Sequence, residues 1–98
     1  MQRGAWLFRL KAGKEEAYRK AHECVWPELL EAARAAGVKN HSVFMRGSIV
    51  FGYIESKNLD ATMSLLASAD VTRRWNEAMA ALMEDPEGEA LDEVFYLE

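Results

Sequence analysis

The fold is decided by residues 40–55, NHSVFMRGSIVFGYIE. Two short runs rich in Val, Ile, Phe and Tyr, Asn40 to Arg46 and Ile49 to Glu55, flank Arg46-Gly47-Ser48. Short β-branched and aromatic runs separated by a glycine-bearing turn predict a β-hairpin. Alternation along the second run puts Val50 and Ile54 on one face and Ile49, Phe51 and Tyr53 on the other. Both faces are therefore apolar, and each needs a cover.

Upstream, Arg3 to Lys11 also alternates. Trp6, Phe8 and Leu10 share one face, with Arg9 and Lys11 among the residues of the other, which predicts a strand ended by Ala12-Gly13. A helical pattern rich in Ala, Glu, Leu and Lys runs from about Lys14 to Ala36, and Gly37 is placed to stop it. Downstream, Asn58 to Met83 is again helical, in two pieces, with Ser68 or Asp70 as the expected N-cap of the second. Asp85-Pro86-Glu87-Gly88 breaks that pattern, and Glu93 to Leu97 reads as a closing strand.

The order is β-α-β-β-α-β, an α+β chain of the ferredoxin-like type: an antiparallel sheet with two helices on one face. At 98 residues the sequence is expected to form a single domain spanning residues 1–98. It has no spare layer for the second apolar face of the sheet. A second copy is the natural cover, and a homodimer is expected.

Composition excludes several classes. Half the residues are apolar and 29% are charged, an ordinary globular balance. No apolar run approaches the roughly 20 residues of a membrane span, and nothing at the start reads as a signal peptide. One cysteine, Cys24, cannot form an internal disulfide, so a cytoplasmic location is the default expectation. The net charge of -4 argues against nucleic acid, which is bound through clustered Lys and Arg. No Lys or Arg follows Arg74, and the acidic last quarter reads as a solvated surface.

Acid–base chemistry has few candidates, because the only histidines are His22 and His41. Histidine's ordinary pKa of about 6.5 lies closest to neutrality. Tyr18 and His22 are spaced i, i+4 and share a helix face, continued by Val25, Leu29 and Ala33 with Trp26 at its edge; Pro27 threatens a kink. A lone histidine on an apolar face is more often a hydrogen-bonded core residue than a catalyst, and Tyr18 and Trp75 each read equally well as core. Together, however, a His, a Tyr and a Trp suit a neutral, hydroxyl-rich ligand: indole covers the C–H face of a sugar while His and Tyr bond its hydroxyls. His22-Glu23 begins like a zinc-protease helix, but Trp26 stands where the second His belongs. His22 and Cys24 diverge on a helix, and no glycine-rich phosphate loop or nucleophile elbow is present.

Tyr18-x-x-x-His22 followed by Val25-Trp26-Pro27-Glu28-Leu29 resembles the signature of the L-rhamnose mutarotase family. So do Ala36 to Asn40, the stretch Ser68 to Trp75, and the ending Glu93 to Leu97, so that the similarity runs from Arg3 to Leu97. The resemblance implies a dimeric α+β barrel, no cofactor, and a pyranose substrate. It makes His22 the proton donor and Tyr18 a sugar contact, and Trp75 matches the first of two adjacent substrate-contacting tryptophans. Two positions depart. His41 stands where the family commonly has a sugar-contacting Tyr, and Asn76 stands where the second Trp would be. Both can hydrogen-bond a hydroxyl, and both change the pocket, which leaves L-rhamnose and L-fucose as candidate sugars. Mutarotation needs a proton placed on the ring oxygen and one removed from the anomeric hydroxyl. His22 is expected to serve the first, with His41 or a water at the second. Small ferredoxin-like monooxygenases and a non-catalytic sugar-binding module are the other readings, because fold alone does not fix function.

Overall fold

The computed structural model describes all residues, 1–98. Its elements run β1 (Gln2–Arg9), α1 (Glu15–Glu23), α2 (Pro27–Ala36), β2 (Val38–Arg46), β3 (Ile49–Ser56), α3 (Leu59–Ser68), α4 (Asp70–Ala80) and β4 (Glu89–Leu91). The four strands form one antiparallel sheet in the order β2-β3-β1-β4, the ferredoxin-like arrangement. The predicted hairpin is present, with Arg46 paired to Ile49 across the turn.

Each expected helical segment is split. The break between α1 and α2 has a local cause: the residue before a proline is excluded from helical backbone. Trp26 accordingly takes φ -56° and ψ 129°, and Pro27 restarts the helix at its first position, where no amide hydrogen is needed. The single apolar face running from Tyr18 to Ala33 therefore does not exist, because its two halves lie on different helices. Gly37 closes α2 in the left-handed conformation and donates its N–H to Ala33 and Arg34 carbonyls. Asn58 caps α3 through its side chain, accepting from the Ala61 N–H. Neither Ser68 nor Asp70 caps α4. That position is held by Ala69, which has no capping side chain, while the Ser68 hydroxyl donates back to the Leu65 carbonyl.

The closing strand also differs from expectation. It is Glu89–Leu91, which pairs with β1, whereas Glu93 to Leu97 forms no strand. The physical reason is the chain's path after Asp85-Pro86-Glu87-Gly88. Gly88 turns at φ +66°, with a Cβ position only 2.5 Å from the Phe8 ring, and delivers Glu89 directly to the β1 edge. The tail beyond is tethered to the sheet by Arg3, which donates two hydrogen bonds to Glu93 and lies 3.5 Å over the Tyr96 ring.

The core lies between sheet and helices. Leu10, Tyr18, Val50, Met79 and Met83 form its buried cluster, with Phe8, Val43, Met45 and Trp75 packed against it. Only 11 of the 98 residues are buried. Half of the chain is apolar, so much apolar surface remains uncovered. It concentrates on the outer face of the sheet, where Phe44 and Phe51 stack beside exposed Ile49 and Leu91, and on the tail, where Val94, Phe95 and Leu97 stand free. No helix is long and apolar enough to cross a membrane.

Candidate active site

Two observations about α1 set the site. Its first turn carries Glu15 and Glu16, which complement the positive end of the helix dipole. Its spacing then stacks Tyr18 and His22, whose ring centres lie 4.3 Å apart. His22 sits in the last turn, just before the chain swings round through Cys24, Val25 and Trp26. That swing brings Trp26, at the start of α2, onto the same residue of α4 that His22 meets. Trp75 is edge-on to both, 5.3 Å from His22 and 5.2 Å from Trp26 between ring centres. Arg74 pins this corner by bonding Asp70 on its own helix and Glu28 on α2, with its guanidinium 6.0 Å over the Trp26 ring.

The protonation geometry of His22 follows from one contact. Its Nδ1 lies 2.9 Å from the Tyr18 carbonyl oxygen. A carbonyl only accepts, so Nδ1 carries a hydrogen and donates it. Nε2 is then the nitrogen free to give and take a proton. Beside it, burial pushes the Tyr18 phenol up to about 12, so that it remains an un-ionised hydroxyl.

These groups open on a cleft of about 190 Å³ between α1 and β2, lined by Tyr18, Arg19, His22, Glu23, Val43 and Met45. The cleft is below the range of about 300–1,000 Å³ typical of sites for drug-sized ligands. Its floor is the inner face of β2. Val43 and Met45 pair with Gly52 and Val50, and His41 pairs with Ile54, all on the face toward the helices. His41 is nevertheless exposed, so the helix layer leaves a gap above it. Asn76 shares a stripe of α4 with buried Thr72 and Met79, at i-4 and i+3, yet is itself exposed. The protein around His41, and then nearby His22, push its pKa below the ordinary histidine value.

His22 thus contacts both Tyr18 and Trp75, whereas His41 and Asn76 are exposed and are not among the residues that line the cleft. Sequence spacing does not single out Trp26 as part of the aromatic corner, or Arg19, Glu23, Val43 and Met45 as cleft lining. That Val43 and Met45 share a face with His41 was legible, since they follow it at i+2 and i+4. The place of Trp26 was not, because it depends on how α2 packs against α4. No group of three or more His, Cys, Asp or Glu side chains converges to hold a metal ion.

The L-rhamnose mutarotase family profile matches residues 3–97. The chain belongs to the L-rhamnose mutarotase family. An L-rhamnose mutarotase of Burkholderia orbicola is 37% identical, with all of both chains covered. The crystal structure of an L-rhamnose mutarotase from Formosa agariphila superposes with a TM-score of 0.81 at 28% identity, also covering all of both chains. An antibiotic biosynthesis monooxygenase shares the fold at a TM-score of 0.69 and 14% identity, covering 97% of this chain and all of that one. At that identity the likeness concerns the fold alone. Membership of the mutarotase family places the chain among the isomerases.

Proposed function

We propose that this protein is a mutarotase, interconverting the α and β anomers of a deoxyhexose pyranose, L-rhamnose or L-fucose, by acid–base ring opening and closure. The observation that carries the reading is the free Nε2 of His22 in a cleft that Tyr18 also lines, with Trp75 edge-on to the imidazole, in a chain of this family. As the imidazolium, with a hydrogen on each ring nitrogen, His22 donates its Nε2 proton to the ring oxygen as the C1–O bond opens. The aldehyde turns about C1–C2, and His22 takes the proton back when the ring recloses on the other face. Tyr18 orients the sugar through its hydroxyl. Trp75 offers the sugar's C–H face a flat surface, and His41 and Asn76 bond its hydroxyls. Positioned acid–base catalysis typically supplies about 10²–10⁴-fold.

The functional unit is proposed to be a cytoplasmic homodimer, joined through the outer face of the sheet. Exposed Phe44, Ile49 and Leu91 on that face, with Val94, Phe95 and Leu97 on the adjoining tail, support it. Obligate dimer interfaces resemble a domain core cut in half.

Saturation-difference NMR of the anomeric protons of L-rhamnose and L-fucose, with and without protein, tests the reading. Protein-dependent magnetisation transfer between the α and β signals is expected, and the sugar with the larger transfer is the preferred substrate. Folded protein that produces no transfer with either sugar overturns the assignment for both.

A further inference from the structure

We propose that His41 is the second proton-transfer group of this site, taking the proton of the anomeric hydroxyl while His22 protonates the ring oxygen. The inference rests on the mutarotase reading and extends it from one catalytic imidazole to a pair.

The geometry comes from the sheet register. His41 stands opposite Ile54, whose side chain is buried on the helix side, and direct cross-strand partners share a face. His41 therefore projects from the same floor as Val43 and Met45, which line the cleft together with His22. Side chains two apart on a strand are separated by roughly 7 Å, so His41 lies one step along the floor from Val43. His22 belongs to the α1 wall. Two imidazoles thus approach one cleft from different directions, one from the wall and one from the floor. The chemistry asks for this, because the ring oxygen and the anomeric oxygen are bonded to the same carbon and must exchange protons in opposite senses.

The steps balance. His22, entering as the imidazolium with a hydrogen on each ring nitrogen, gives its Nε2 proton to the ring oxygen as the C1–ring oxygen bond breaks, and keeps its Nδ1–H on the Tyr18 carbonyl. The anomeric O–H gives its proton to a neutral His41 nitrogen, and the O–H electron pair becomes the second bond of the aldehyde. After rotation about C1–C2 the same protons return. The protein ends as it began, and no co-reactant is consumed.

His41 must be neutral to accept. The protein packed around its base, which partly desolvates the ring, and the neighbouring His22 both favour its neutral form. The charged neighbours are few on every side. Arg19 and Glu23 of α1 line the cleft with His22. On α4, Asn76 is uncharged, while Asp70, Arg73, Arg74 and Glu77 are exposed and engaged in ion pairs. Glu55 of β3 lies on the opposite face of the sheet, held by Asn40 and Tyr53.

The test is the pH profile of anomer exchange, measured by exchange NMR for the wild type and for His41→Gln. In the wild type the rate is expected to fall on the acid side, as His41 takes up a proton below the ordinary histidine range. His41→Gln is expected to lose about 10²-fold at neutral pH and to lose that acid limb. Protein-to-sugar saturation transfer should persist. A variant with the wild-type rate, or with a lower rate but the same acid limb, overturns the proposal and leaves His41 a contact residue. If the variant no longer binds sugar, His41→Ala with added imidazole decides: restored exchange supports the role, and none overturns it. A wild type without exchange overturns the mutarotase reading itself, and His41's role with it.

Discussion

His22 and Trp75 meet edge to face, with ring centres 5.3 Å apart and planes at 81°. One belongs to the end of α1 and the other to the middle of α4, so the contact joins the two helical segments of the fold at the mouth of the cleft. On its opposite side His22 is held by the Tyr18 carbonyl. The imidazole is fixed at both ends with Nε2 left free, as a positioned acid requires.

Replacing His22 with Gln should lower the rate of anomer exchange by about 10²–10⁴-fold. The residue is only half-buried, and its packing on Trp75 is largely kept by an amide of similar length. Circular dichroism should therefore remain native. Exchange NMR on folded His22→Gln that returned a near wild-type rate would remove His22 from the mechanism.

Trp75→Ala should weaken sugar binding more than it slows the bound step, raising KM by roughly 10-fold, which corresponds to about 1.4 kcal/mol. Trp75 also packs on the core and on Trp26. A drop in stability of about 2 kcal/mol should accompany the change, below the roughly 3–5 kcal/mol of a buried aromatic truncation because Trp75 is only half-buried. Trp75→Phe should retain most of both. Urea unfolding and the KM against kcat split check the two effects separately.

Tyr18 supplies a pH prediction. Its phenol is shifted from the ordinary 10.0 to about 12 by burial. Below pH 10 both folded and unfolded chains keep the proton, so the group has no effect on stability there. Above it the unfolded chain releases the proton first, and stability falls as pH rises from about 10 to about 12. Thermal melts of the wild type should show this alkaline loss, and Tyr18→Phe should reduce it. An equal alkaline loss in both proteins would assign it to other groups.

The outer sheet face should be the dimer contact. Phe44→Asp places a charge in the exposed Phe44–Phe51 stack and should convert dimer to monomer by light scattering, with the inner core unchanged. A wild type that is monomeric at all concentrations would contradict the assembly.

Gly88 should tolerate no side chain. Its φ of +66° disfavours any L-residue, and a Cβ would sit 2.5 Å from the Phe8 ring. Gly88→Ala is expected to cost roughly 2–3 kcal/mol through backbone strain and overpacking, read as a lower midpoint in urea. An unchanged midpoint would mean that the turn relaxes freely.

The sequence by itself determined the β-α-β-β-α-β succession of elements and the two faces of the hairpin strand. A period of two is a local property, so Val50 and Ile54 had to oppose Ile49, Phe51 and Tyr53 wherever the strand lay. It also determined that Tyr18 and His22 share a helix face, since four residues make about one turn. Tertiary structure alone decided the rest. Pro27 breaks the helix locally, but that Trp26 then meets Trp75 depends on how α2 packs against α4. The edge of β1 was taken by Glu89–Leu91, leaving Glu93 to Leu97 without a strand partner. That His41 stays exposed although its strand neighbours Val43 and Met45 pack on the core depends on how the helices cover the sheet. Periodicity fixes which way a side chain points along its own element. What it points at depends on contacts far away in sequence, which no local pattern encodes.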